Sequence, residues 1–222
     1  MNYILLFLSV IIGYFIATLV KGKNLKFMPI FLAFSGSFLL SVTLLELLPE
    51  VFQEPSKRIG IFILLGIVIQ ICLEFFSKGA EHGHVHLHDA QQKFPWLLLI
   101  SLSVHAFLEG FPISDHNHLL LGVIVHKIPI AIILSVFFIQ AGYKKSTTLL
   151  FLFLFAIMTP LGSWVSTYSE AISSYSTEIT AITIGVFLHV STTILFESSK
   201  NHTFNLSKMT AVILATVLAY FL

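Results

Sequence analysis

Cysteine is almost missing from this chain. Cys72 is the one thiol, so no disulfide framework can form within it, and cysteine usage says nothing about redox compartment. The same shortage counts against a soft-ion site for Cu(I), which favours thiolate ligands. Charge is scarce as well. Charged residues are 10% of the 222, and the formal net charge is +1, so no overall electrostatic argument points to nucleic acid. Also lacking, near Met1, are a basic leading region and a small-residue cleavage site, so the stretch to Val20 reads as a retained first span. Hydrophobic residues fill the space, at 56% with a mean hydropathy of +0.93. That balance excludes an ordinary soluble domain and predicts an all-α integral membrane protein.

A span needs about 20 mostly apolar residues. Eight stretches qualify: 3–20, 27–52, 59–77, 95–112, 118–142, 147–167, 178–197 and 206–222. Breakers such as Pro55, Gly79, Gly142 and Asn205 fall in the short connections. The expectation is a single polytopic membrane domain over 1–222, with a histidine-rich loop at 79–94. Basic residues set the orientation. With the first loop in the cytoplasm, that side holds Lys21, Lys23, Lys26, Lys78, Lys93, Lys144, Lys145, Lys200 and Lys208, while the opposite side holds Lys57 and Arg58. Both termini are therefore expected outside, and the cell membrane is the expected location. Gly36-Ser-Phe38-Leu39 in the second span echoes Gly185-Val-Phe187-Leu188 in the seventh, with Thr43 and Thr192 at the same offset. An inverted repeat of spans 1–3 and 6–8 around spans 4–5 would explain the echo; so would chance similarity between apolar segments.

Against this background, two clusters of ionisable residues stand inside apolar spans: His105-Ala-Phe-Leu-Glu109-Gly110, then His126-Lys127-Ile-Pro129. Each such group costs roughly 2.5–3.5 kcal/mol on insertion scales, so clusters of them in consecutive spans point to a function. His105 and Glu109 are four residues apart and share a helix face. His105 precedes the turn at Asp115 and His116 by about as many residues as His126 follows it, which places the two imidazoles at similar depth. Two imidazoles and one carboxylate suit Zn(II), Fe(II), Mn(II) or Ni(II) and leave room for water. That incomplete shell suits a carrier, because a closed four-ligand site would release its ion poorly. The competing reading is a set of polar groups bonded across helices for packing. Lys127 needs a partner at this depth, and Glu109 is the nearest candidate. It is either a fixed cation beside the metal or a structural ion-pair partner.

The pattern His105-x-x-x-Glu109-Gly110 followed by His126-Lys127-x-Pro129-x-Ala131 resembles the fourth and fifth spans of the ZIP (Zrt/Irt-like) divalent-metal transporters, in a subfamily with His-Lys-x-Pro in its fifth span. Leu47-Leu48-Pro49-Glu50 and Gly185-Val-Phe187-Leu188 resemble further family motifs, and a histidine-rich loop after the third span is typical. The resemblance implies transport of a divalent transition metal into the cytoplasm, Zn2+ first, with Fe2+, Mn2+ and Cd2+ as alternatives. It implies no enzymatic activity and no resident cofactor. Ala106, Lys127 and Ile130 replace second-site ligands of the family pattern, so it implies a single transport site at His105, Glu109 and His126, with Lys127 where a second cation would sit.

Other polar residues have expected roles beside this site. Glu46 and Glu50 share a face near the outer end of the second span and suit an entrance; Glu46 is also within reach of the metal by the family pattern. His189 and Glu197 suit an exit step or an interhelical hydrogen bond. His82, His84, His86 and His88 suit loose metal binding in the loop. Asp115, His116 and His118 suit an entrance or simple loop polarity. A homodimer is one open arrangement, and the lipid bilayer is the expected surroundings. The rival function is an intramembrane metal-dependent enzyme, a lipid hydrolase or hydroxylase. It is disfavoured because neither His-Glu-x-x-His nor a set of paired histidine boxes occurs. A metal-responsive receptor is disfavoured because the loops leave no space for a signalling domain.

Overall fold

The computed structural model describes residues 2–20, 27–53, 57–77, 94–114, 117–197 and 206–222, without the side chains of Asn2, Lys57, Ser114, Asn117 and Glu197. The described residues are helical throughout, joined by turns, with no strand among them. We number the long helices α1 (Asn2–Leu19), α2 (Met28–Val51), α3 (Lys57–Ser77), α4 (Trp96–Gly110), α5 (Asn117–Gln140), α6 (Lys145–Tyr168), α7 (Ser176–Glu197) and α8 (Leu206–Phe221). Each expected span coincides with one of them. Six are long and apolar enough to cross a bilayer; Tyr3–Leu19 and Leu206–Phe221 are shorter apolar helices. The histidines at 82, 84, 86 and 88, with Asp115 and His116, lie outside the described residues.

The distribution of polarity is the reverse of that in a soluble protein. Large apolar side chains such as Phe15, Ile61, Phe75, Leu97, Phe153 and Leu214 are exposed, whereas Ser35, Gln70, His105, Glu109, His126, Lys127 and Thr159 are buried. Water would penalise that exterior, and hydrocarbon accommodates it.

Helices pair across the bundle: α1 with α5, α4 with α6, α2 with α8 and α3 with α7. Small residues allow the close crossings. A Cβ on Gly66 would collide with the Ile182 carbonyl, and one on Gly185 with the Ile63 carbonyl, so α3 and α7 touch backbone to backbone. Gly110 and Gly162 play the same part between α4 and α6, against Thr159 and Phe107. The two glycines of the sequence echo do not match in their packing, since Gly36 faces Ile194 of α7 and Gly185 faces α3.

Prolines reshape helices near the centre. Pro49 cannot donate to the preceding turn and its ring crowds it. The helix widens there into a π turn at Thr43–Leu47, which contains Glu46. Pro112 follows the end of α4, where the chain tightens into a 3-10 turn at Phe111–Ser114. The Leu108 carbonyl, which a residue 112 amide would have served, accepts the Thr183 hydroxyl at 3.1 Å. Pro129 lies within α5, two residues after Lys127. Apolar clusters pack above and below this level. On α4, Leu98, Leu99, Leu102 and Ala106 belong to one cluster and Ile113, just beyond the helix, to the other; on α5, Leu119, Leu120 and Val123 belong to the latter and Ile130 to Phe138 to the former. His105, Glu109, His126 and Lys127 fall between the two.

Candidate metal site

The four-residue spacing on α4 sets His105 and Glu109 one turn apart, and His126 meets them from α5, which packs on α1 and α2. Their ligand atoms all lie within 4.8 Å of one another, and all three residues are buried. The two imidazole rings meet edge-on, 6.4 Å between centroids. A zinc ion bonded at about 2.0–2.2 Å to each ligand would hold tetrahedral donors about 3.4 Å apart. Closure therefore needs only small side-chain adjustments.

Lys127 is 1% exposed. Its Nζ is 2.9 Å from Glu109 Oε2 and 4.5 Å from the centre of the Phe155 ring on α6. This contact is ionic and not an aligned hydrogen bond. The ring face supplies a further attraction, of the order of 2 kcal/mol for a desolvated cation. The Glu109–Lys127 pair sets opposite charges against each other, which limits the cost of burying two ions. Glu109 Oε2 also accepts from the Thr159 hydroxyl at 3.4 Å, while that hydroxyl donates at 2.8 Å to the Ala106 carbonyl. The second oxygen, Oε1, is buried and has no hydrogen-bond partner among the described residues. A buried carboxylate oxygen left in this way is costly unless something cationic meets it.

A third helix contributes a residue absent from the sequence expectations. Gln70 of α3, fully buried, lies with its Oε1 3.0 Å from His105 Nδ1. Glu74, one turn further along α3, accepts from His189 Nε2 of α7 at 2.6 Å. Both were visible as isolated polar residues four apart in the apolar stretch 59–77, which is the spacing of one helix face.

The remaining expected residues lie outside the three-ligand cluster. Glu46 Oε1 pairs with His118 Nδ1 of α5 at 2.5 Å, and both side chains are partly exposed. Glu50 is exposed and lines a cavity of about 80 Å³ with Pro112, Ser166, Thr177 and Thr180. His189 meets Glu74, and Glu197 ends α7 with its side chain outside the described set.

The family model described as ZIP Zinc transporter matches residues 77–221. Zinc transporter ZIP1 of Danio rerio is 32% identical over 90 residues, covering 38% of this chain and 30% of its own. Protein zntD of Dictyostelium discoideum is 30% identical over 104 residues, covering 39% of this chain and 15% of its own. The matched part thus spans less than a third of either relative.

Proposed function

This chain belongs to the ZIP zinc transporter family, and on that premise we propose that it carries a divalent transition metal, Zn2+ first, across the cell membrane into the cytoplasm. Fe2+, Mn2+ and Cd2+ are the alternative cargoes. The single observation that carries the reading is the buried triad of His105, Glu109 and His126. Its ligands are hard enough for Zn(II) and too few to enclose it, so water can replace them one at a time during release. All three come from one chain, so one copy suffices for the site.

The eight helices correspond to eight crossings with both termini outside. The inverted repeat draws support from helix pairing: exchanging spans 1–3 with 6–8, and span 4 with span 5, converts the α1–α5 pair into α6–α4 and the α2–α8 pair into α7–α3. Glu46 with His118, and Glu50 at its polar cavity, lie toward the end of the bundle where the basic residues are few and suit the entrance. Glu74 with His189 lies one turn beyond Gln70 toward the lysine-rich side and suits the exit. Lys127 stands with its ammonium where a second ion would otherwise bind, so the site takes one metal.

The test is zinc uptake into proteoliposomes. His105→Ala, Glu109→Ala and His126→Ala should each abolish flux while membrane insertion is retained. Near-native flux in all three would refute the site, and comparing Zn, Fe, Mn and Cd in the same assay orders the cargoes.

A further inference from the structure

We infer that Gln70 is a positioning residue of the metal site, which holds His105 in the tautomer that binds metal and, being uncharged, keeps that ligand weak enough for release. This rests on the site proposed above and goes beyond its three ligands. Gln70 offers its amide oxygen to His105 Nδ1 at 3.0 Å, with Gln70 0% and His105 4% exposed. An acceptor there draws the ring proton to Nδ1 and leaves the lone pair on Nε2. Metal-bound histidines are generally oriented in this way through the nitrogen that does not bind the metal.

The placement of Gln70 is secured from both sides along α3. One turn before it, Gly66 seats the helix against the Ile182 carbonyl of α7. One turn after it, Glu74 is bonded to His189 of α7 at 2.6 Å. The acceptor therefore comes from a helix fastened to α7, whereas His105 stands on α4, which packs on α6.

The chemical identity of the acceptor matters. A carboxylate in this place would make the imidazole more basic and the metal tighter. An amide orients the ring without adding charge. In a carrier, tight binding is not an advantage, because the ion must leave on every cycle.

The experiment combines zinc titration of the purified full-length protein, in competition with a fluorescent chelator, with uptake kinetics in proteoliposomes. Gln70→Leu keeps the volume and removes the acceptor. It should weaken zinc binding by about 10–100-fold, the usual effect of losing such a partner. Gln70→Glu keeps both shape and acceptor. It should bind zinc more tightly and lower KM and kcat together, a split that a merely structural role would not produce. If Gln70→Leu fails to fold, judged by size-exclusion profile and zinc-free melting, the Gln70→Glu comparison decides. Native zinc affinity in a folded Gln70→Leu variant, or native affinity and kcat in Gln70→Glu, overturns the inference. His105→Ala separates the two levels. If the native protein binds zinc, His105→Ala loses it and Gln70→Leu retains it, only the role of Gln70 falls. If the native protein shows no zinc binding that His105→Ala removes, the proposed site falls and this inference with it.

Discussion

Replacing Lys127 with methionine should convert a carrier into a binder. Methionine keeps the length and the apolar stem while removing the charge. In the native protein the ammonium sits 2.9 Å from one oxygen of Glu109, and the other oxygen has no hydrogen-bond partner among the described residues. A zinc ion on that second oxygen, at a bond length of about 2.0–2.2 Å, would be about 5 Å from Nζ. At an effective dielectric constant of about 20, the repulsion between a dication and a cation at that distance is about 6–7 kcal/mol. Realising only a fifth of it would change affinity about tenfold. The variant should therefore bind zinc at least tenfold more tightly and release it more slowly, with KM and kcat both reduced. The zinc-free form should suffer, because removing one partner of a buried ion pair typically costs about 3–5 kcal/mol. Zinc should then raise the melting temperature of the variant far more than that of the native protein. Zinc affinity equal to or weaker than native, in a variant that folds, would refute the assignment of Lys127 as a cation opposed to the metal. Elemental analysis of the loop-deleted protein supplies an independent check, since a clear ratio of two metals per chain in the unmodified site would overturn the single-metal reading.

Further expectations follow from other parts of the molecule. Replacing His82, His84, His86 and His88 together with serine should leave initial zinc uptake within a few-fold of native; complete loss would make the loop an obligatory step. Gly185→Val should destabilise the α3–α7 crossing, because any Cβ there meets the Ile63 carbonyl and overpacking of this kind costs about 1–3 kcal/mol. A lower melting temperature in detergent would show it, and an unchanged one would mean that the helices can separate freely at that point.

Much of this protein is determined locally and can be read along the chain. Eight apolar stretches become eight helices, because in hydrocarbon a backbone must satisfy its own hydrogen bonds. His105 and Glu109 share a face because a helix turns once in 3.6 residues, and Pro49 and Pro112 perturb the helix wherever they stand. Other features depend on which helix lies against which, and no spacing along one segment contains that. Gln70 becomes a partner of His105 across 35 residues, and Glu74 takes His189, a residue that sequence alone had set beside Glu197. Glu46, a candidate for the metal, meets His118, in a helix locally widened before Pro49. The glycines of the sequence echo are alike in sequence and unlike in packing, since Gly36 and Gly185 face different helices. Local rules fix the direction in which a side chain leaves its own helix; what it meets there is decided by the close crossings of helices that the sequence holds far apart.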